Sequence, residues 1–213
     1  MLLKPDDLKV TVNGDTAMPV PAIDGMLVSV SSNSLAEFIN QVHENETFCW
    51  ITQGSMSMHH IVEALVHQCA PATLYFTTWA ISEDAARAIF LMKEKKLITQ
   101  VKGIIDHRVL SGHAAVYHFL RSFFDHLQLE ACHAKMVLIT GSEISYAVYS
   151  SANFTANNRI ENTIVCRTEN NCAALRQWFE TKFYETHRRS AEDDRRVGDA
   201  DDDAQSDSPG IGS

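Results

Sequence analysis

Residues 132–140 read Cys-His-Ala-Lys-Met-Val-Leu-Ile-Thr, and residues 146–155 read Tyr-Ala-Val-Tyr-Ser-Ser-Ala-Asn-Phe-Thr. Each stretch contains an apolar run of strand length, and the segment 140–145 between them has the composition of a turn. The two runs therefore predict neighbouring antiparallel strands at roughly 133–139 and 146–152. In that register, positions near 133 lie opposite positions near 152.

Four polar side chains meet in this predicted hairpin. Because a strand alternates its side chains between two faces, His133 and Lys135 project from the same side. Ser151 and Asn153 share a side for the same reason. An imidazole, an ammonium, a hydroxyl and a carboxamide would then converge at one edge of a sheet. Such a group can hold a phosphate and attack it.

Upstream, strand-like and helix-like runs alternate. Apolar runs at 47–52, 73–79 and 99–106 predict strands, and a further strand is expected at 162–168. Helices are expected up to about residue 68, after an N-cap at Ser82, at 113–127 and near the end of the body. The alternation predicts an α/β fold, a mixed β-sheet with helices on both faces.

The chain divides by composition into three parts. Residues 1–44 are an N-terminal extension. Its sequence is compatible with short strands at 8–12 and 26–30 and with a helix near 34–42. Residues 45–188 form the main domain, and residues 189–213 form an acidic tail. From Glu192 to Ser213 eight acids and two bases give a charge of −6, so the remaining residues carry only −3 of the total of −9. We expect the tail to be disordered, with either a solubilising role or competition with nucleic acid for a cleft.

Composition favours a cytoplasmic protein. Hydrophobic residues make up 45% and charged residues 21% of the 213 residues, as in ordinary globular domains. The five cysteines form no Cys-x-x-Cys pair, which indicates reduced thiols and disfavours a disulfide framework or a structural zinc site. The first residues lack the pattern of a signal peptide, and no apolar stretch has the length of a membrane span.

The segment from His133 to about Val165 resembles the motif of the phospholipase D superfamily. That motif reads His-x-Lys, four residues, Asp, and then Gly-Ser-x-Asn. The chain is most similar to small members with a single motif, which include bacterial phosphodiesterases and nucleases, and the likeness extends over roughly residues 45–185. It departs from the pattern twice, since Thr140 occupies the position of the motif Asp and Ser150 that of the motif Gly.

The resemblance implies a set of chemical roles. His133 would attack phosphorus and form a phosphohistidine, and Glu161 would hydrogen-bond that histidine and orient it. Lys135, Asn153 and Ser151 would bind the non-bridging oxygens. Because the superfamily uses two such motifs, a single-motif chain implies a homodimer whose two motifs meet at the symmetry axis. The scheme needs no metal and no cofactor.

Four further residues are candidates for substrate binding. Thr77 and Trp79 end a predicted strand and could line a substrate groove, although packing in the core is an equal alternative. Arg108 follows another strand end and could position a phosphate or form a salt bridge within its loop. Arg159 adjoins the motif and could reach a neighbouring phosphate.

Two functions follow from these expectations. The first is a metal-independent phosphodiesterase, a nuclease acting on DNA through a phosphohistidine at a homodimeric active site. The alternative is a catalytically impaired phospholipase-D-like module that binds nucleic acid, of phage or mobile-element origin. A membrane substrate is disfavoured, because the sequence shows neither an apolar surface segment nor a basic one.

Overall fold

The computed structural model describes residues 35, 39, 40, 42–53, 56–156 and 158–185, together with the backbone of 25–28. Most of the predicted N-terminal extension, including the possible strand at 8–12, lies outside these residues. The predicted acidic tail at 189–213 also lies outside them. Of the helix expected near 34–42, Leu35 and Ile39 are described, and both are helical and buried.

The described residues form one mixed sheet of eight strands in the order β1-β2-β8-β7-β6-β3-β4-β5. The pairs β1/β2, β3/β4 and β4/β5 are parallel and the other pairs are antiparallel. The strands are β1 (Gly25–Val28), β2 (Thr47–Gln53), β3 (Ala72–Thr78), β4 (Ile98–Asp106), β5 (His126–Glu130), β6 (Met136–Thr140), β7 (Ser145–Ser150) and β8 (Ile160–Cys166).

Helices cover both faces of this sheet, as the sequence predicts. Three longer helices and one short one precede β5, namely α1 (Met58–Cys69), α2 (Glu83–Glu94), α3 (Val109–Gly112) and α4 (Ala114–Phe123). Helices α1, α2 and α4 pack in one layer, against which Phe76 and Val137 are buried. Residues 169–185 form a last helix, α5, and its Cys172 hydrogen-bonds the backbone of Ala147 from the opposite face. The fold class is therefore confirmed as α/β with a mixed sheet.

Most predicted elements are observed, with shifted ends. Ser82 caps α2 as expected, since its Oγ accepts from the backbone N–H of Ala85 at 3.3 Å. The prediction of a helix over 113–127 is wrong at its end. Helix α4 stops at Phe123, and β5 begins at His126. The apolar spacing of Phe124 and Leu127 continues the helical stripe, but these residues belong to the turn and to a strand that pairs with β4.

A tight turn closes the hairpin of β6 and β7. Gly141 donates its N–H to the carbonyl of Ile144 at 2.9 Å. A Cβ at Gly141 would come within 2.2 Å of the backbone oxygen of Cys69, so a side chain cannot fit unless the end of α1 moves. This close approach explains a glycine at the turn and fixes the register in which β6 meets β7.

The topology places the ends of many strands at the same edge of the sheet. Strands β3, β4 and β5 are parallel and end there, and β6, which is antiparallel to β3, begins there. By the same alternation β7 ends and β8 begins at that edge. We call it the site edge, and its marker residues are Trp79, Arg108, Lys135, Ser150 and Glu161. Loops at the carboxyl ends of parallel strands are common positions for ligand sites.

Candidate phosphate site at the sheet edge

His133 and Lys135 lie in the loop that leads into β6, and their side chains meet. The predicted strand start at 133 is therefore three residues early, since β6 begins at Met136. The ammonium Nζ of Lys135 is 3.2 Å from Nδ1 and 3.4 Å from Nε2 of His133, and it donates to the carbonyl of His133 at 2.6 Å. His133 is exposed, whereas Lys135 is only 8% exposed. The structure thus brings this predicted pair together.

Thr77 holds the backbone of this loop. It is fully buried in β3, and its hydroxyl donates to the carbonyl of Ala134 at 3.0 Å and accepts from the N–H of Met136 at 3.0 Å. The residues on either side of Lys135 are thereby fixed to the sheet. Thr77 contributes to the site through this contact, because its hydroxyl is already engaged on both its donor and acceptor sides.

Lys135 is a buried cation with an acid nearby. Burial lowers its pKa, and the neighbouring Glu161 opposes that shift. Glu161 is itself buried at the start of β8 and accepts a short hydrogen bond from the hydroxyl of Ser151. The Ser151 oxygen also accepts from the N–H of Asn162 at 3.0 Å. The carboxylate therefore lies close enough to the ammonium for its charge to act on the pKa of Lys135, and the hydrogen bond from Ser151 attaches it to the end of β7.

Asn153 lies in a segment pinned between two helix N-termini. Its carbonyl accepts from the N–H of Met58, the first residue of α1, at 3.2 Å. The carbonyl of the next residue, Phe154, accepts from the N–H of Ser82, the cap of α2, at 2.9 Å. The side-chain oxygen of Asn153 is 3.3 Å from the hydroxyl of Thr78 at the end of β3. The carboxamide is thus bonded to Thr78, the residue that precedes Trp79.

Trp79 and Arg108 form a second group at the same edge. The rings of Trp79 and His133 have centroids 6.0 Å apart, and the guanidinium carbon of Arg108 lies 5.0 Å from the centroid of the indole. Arg108 also forms a salt bridge with Asp106, with Nε 2.8 Å from Oδ1. The sequence alternative of a salt bridge within the loop is therefore observed for Arg108. Trp79 is 37% exposed and is not a core residue.

Asp106 is a residue of this site that the sequence reasoning did not single out. It is 1% exposed, and the guanidinium of Arg108 keeps the pKa of its carboxyl far below the usual range. Its Oδ2 also accepts from the N–H of Cys132 at 3.1 Å, which attaches the His133 loop to the end of β4. A signal was present in the sequence, since an Asp at a strand end two residues before an Arg is a typical start of a charged turn.

The two departures from the motif have different structural settings. Thr140 ends β6, so it lies about 17 Å from Lys135 along the strand. Its hydroxyl there accepts from Arg176 at 3.1 Å. Ser150, in contrast, lies at the site edge, where its hydroxyl donates to the backbone carbonyl of Asn162 at 3.0 Å. Ser150 does not have a positive φ, so a serine fits this backbone without strain where the motif has a glycine.

Arg159 is exposed and immediately precedes β8, which begins at Ile160. Ile160 next to it is 75% exposed.

A pair of histidines adjoins the Asn153 segment. His59 and His60 lie in the first turn of α1, with ring centroids 4.0 Å apart. Burial lowers the pKa of His59 to about 4, and the charge of His60 acts in the same direction. Both rings bond Ser57, which places them as part of the helix cap.

Among the described residues, no group of three or more His, Cys, Asp or Glu side chains is arranged to hold a metal ion. No helix within the described ranges has the length and apolar character required to cross a membrane.

No protein-family model matches the chain, and no curated protein sequence matches it. Three solved structures share part of its fold. TrmBL2, described as an archaeal chromatin protein with a novel mode of DNA binding, has 10% identity and a TM-score of 0.45 over 72% of this chain. Polyphosphate kinase from Porphyromonas gingivalis has 12% identity and a TM-score of 0.44 over 68%. Phosphatidylserine synthase from Haemophilus influenzae Rd KW20 has 14% identity and a TM-score of 0.42 over 64%.

The matched regions span 58%, 29% and 38% of the three chains in the order given. At these identities and TM-scores the similarities carry no argument about chemistry, which is therefore derived from the side chains.

The hydroxyl of Thr77 provides a test of how the loop is held. Thr77→Val keeps the shape of the side chain and removes the partner of the Ala134 carbonyl and of the Met136 N–H, whose hydrogen bonds to Thr77 are partly buried. We expect the free energy of unfolding, measured by urea denaturation, to fall by about 1–2 kcal/mol for the two lost hydrogen bonds. The matched control is Thr181→Val, which changes an exposed threonine of α5 and should change stability by at most about 0.5 kcal/mol. Equal midpoints for Thr77→Val and the parent would show that this hydroxyl does not hold the loop.

Proposed function

We propose that the protein is a phosphodiesterase of the phospholipase D type, acting on nucleic acid through His133. The observation that carries this proposal is the pairing of an exposed imidazole with a buried ammonium 3.2 Å away, at the site edge, where strands β3 to β8 begin or end. An exposed imidazole can reach a substrate, and the adjacent cation can hold its phosphate. The order His-x-Lys and Ser-x-Asn in the sequence supports the same chemistry.

The proposed reaction has two displacements at phosphorus. In the first, a ring nitrogen of His133 forms a bond to phosphorus with its lone pair, and the bond from phosphorus to the leaving oxygen breaks. That oxygen takes a proton from a general acid. In the second, water attacks phosphorus, the nitrogen–phosphorus bond breaks and the water proton returns to the same acid–base group. Neither step consumes an oxidant, a reductant or a cofactor.

Lys135 and Asn153 would stabilise the charge on the non-bridging oxygens. The proposal is supported by the fixed positions of both residues, since donors that need no rearrangement act most strongly on a developing charge. In the free protein Lys135 donates to the carbonyl of His133, and a bound phosphate would replace that oxygen as its acceptor. Glu161 accepts a hydrogen bond from Ser151, and its charge acts on Lys135. We propose that it positions the ammonium, and that orientation of His133 by Glu161 is a second possible role.

A second copy of the chain would supply the general acid. One chain offers one His-x-Lys pair, and the partner subunit's His133 could protonate the leaving oxygen if the two site edges meet. The apolar surface considered for this contact is Ile160, which begins β8 at the site edge and is 75% exposed. A large apolar side chain at the centre of the contact would favour association of two site edges.

The second candidate function is binding of nucleic acid without turnover. Two observations favour it, namely Thr140 in place of the motif Asp and the engagement of Lys135 with its own loop carbonyl. In this case the same pocket would hold a backbone phosphate, and His133 would not form a covalent bond. A phage or mobile-element origin belongs to this alternative and rests on sequence character alone.

Cleavage in the presence of a chelator tests the first function. Purified protein is incubated with plasmid and with single-stranded DNA in excess EDTA, and products are followed on gels. We expect cleavage that persists in EDTA, because the proposed groups are all side chains of the protein. His133→Ala should reduce the rate at least about 10³-fold.

Two results would decide between the functions. If the parent protein cleaves DNA and His133→Ala cleaves it at the same rate, the proposed nucleophile is contradicted. Binding by both proteins without cleavage would support the binding module. Asp84→Asn serves as the matched surface control, since this exposed acid lies in the first turn of α2 and has no part in the proposed chemistry.

The dimer is tested by charging the apolar surface. Ile160→Asp should convert the dimer to a monomer in sedimentation velocity at micromolar concentration, with a parallel loss of cleavage. Leu91→Asp is the matched control, because Leu91 is 53% exposed on α2, outside the site edge, and should leave both properties unchanged. A parent that cleaves DNA as a strict monomer would contradict the shared site.

A further inference from the structure

The side chain of Arg108 is held by more contacts than a single salt bridge provides. Asp106 receives three contacts from Arg108, namely the backbone N–H at 3.0 Å, Nε at 2.8 Å and Nη2 at 3.3 Å. The indole of Trp79 then covers the guanidinium at 5.0 Å. The side chain of Arg108 nevertheless remains 59% exposed. A cation is thus fixed in orientation while much of it faces solvent.

The guanidinium keeps donors for a ligand. Arginine has five N–H donors in a planar fork, and the contacts with Asp106 use Nε and one hydrogen of Nη2. The remaining donors lie on the side of the fork away from Asp106. A phosphate can be bound there by two parallel hydrogen bonds, which is the arrangement that arginine favours with oxyanions. Because Asp106 already holds the fork, little side-chain entropy is lost on binding.

The position of this pair relates it to the proposed nucleophile. The indole centroid is 6.0 Å from the ring of His133 and 5.0 Å from the guanidinium carbon, so the guanidinium lies within 11 Å of His133. That span is of the order of one or two nucleotide steps. A phosphate bound by Arg108 would therefore be a neighbour of the phosphate attacked by His133, in the same strand.

An exposed indole adds recognition of a base. Unpaired bases stack on aromatic rings and on arginine planes, while bases inside a duplex present no free face. The guanidinium carbon of Arg108 lies over the indole at 5.0 Å, and Trp79 remains 37% exposed, so a base can stack against the accessible part of this pair. A phosphate donor and a stacking surface at this spacing match one nucleotide of a flexible strand.

We infer that Trp79 and Arg108 form a subsite for the unpaired nucleotide next to the phosphodiester held at His133, which makes single-stranded nucleic acid the preferred substrate class. The inference rests on the proposed function for the identity of the neighbouring phosphate. It extends that function by assigning strand preference to two named residues, with Asp106 as the positioning residue of Arg108.

Binding measurements test the subsite independently of turnover. Fluorescence anisotropy is recorded with a labelled single-stranded oligonucleotide and with its duplex, in the His133→Ala background so that the probes stay intact. Trp79→Ala should weaken binding of the single strand by about 5- to 100-fold and leave duplex affinity unchanged. Trp79→Phe retains an aromatic face and should recover most of the loss.

Arg108 is tested by the salt dependence of binding. Arg108→Gln is combined with Asp106→Asn, so that no unpaired carboxylate is left buried. The slope of log affinity against log salt concentration for the single strand should fall in magnitude by about 0.7, the value for one lost phosphate contact. The control is Arg121→Ala, which removes an exposed arginine from the end of α4, at the opposite edge of the sheet, and should leave the slope unchanged.

The outcomes separate the subsite from the proposed reaction. Selective loss of single-strand binding in the variants supports the subsite even if the parent protein cleaves nothing, in which case the phosphodiesterase proposal alone fails. Unchanged single-strand affinity and slope in both sets of variants would overturn the subsite, whether or not the parent cleaves DNA. An equal loss for single strand and duplex with Trp79→Ala would overturn the strand preference.

Discussion

The site depends on how the sheet clamps the backbone around Lys135. The carbonyl of Lys135 accepts from the N–H of Ser150 across the hairpin at 2.9 Å, and the hydroxyl of Thr77 holds the residues on both sides of it. A free loop would lose about 1–2 kcal/mol of conformational entropy per residue each time it ordered around a ligand. Because the sheet has already ordered this loop, the imidazole and the ammonium are in place before any anion arrives.

Two acid–base pairs give the site edge its electrostatic character. Asp106 is matched by Arg108, and Lys135 lies near Glu161. In each pair the acid is buried, with 1% exposure for Asp106 and 9% for Glu161. Burial lowers the pKa of Lys135, and a bound phosphate would favour its charged form again. Because each cation at the site edge already has an acid nearby, the proposed pocket would suit a single anion.

The sequence predicted local features well and long-range contacts poorly. The hairpin, the cap at Ser82 and the mixed sheet follow from alternation and from local side-chain chemistry, and the structure contains them. The end of the helix predicted over 113–127 was missed, because the apolar spacing of Phe124 and Leu127 is the same for a helix and for the turn and strand that replace it. The hydrogen bond from Thr77 to the loop of His133 depends on the pairing of β3 with β6 and joins residues 57 positions apart in the sequence. No local pattern specifies such a contact.

The same limit applies to the roles of the acids. The position of Glu161 after the motif predicted a carboxylate for His133, and that role stays a prediction. The sequence did not predict the hydrogen bond from Ser151 to Glu161 or the effect of Glu161 on the pKa of Lys135. Asp106 was noted in the sequence only as a strand end before Arg108, whereas in the structure it also attaches the His133 loop to β4 through the N–H of Cys132. Which acid serves which base depends on strand order, and the sequence left that order open.

The most direct test of the account is a crystal structure with tungstate or vanadate, oxyanions that imitate the phosphoryl group. The account predicts the metal centre of the oxyanion within bonding distance of a ring nitrogen of His133. It also predicts oxyanion oxygens about 3 Å from Nζ of Lys135 and from the carboxamide of Asn153. An oxyanion bound elsewhere, or one held by Lys135 while His133 and Asn153 point away from it, would contradict the shared anion pocket.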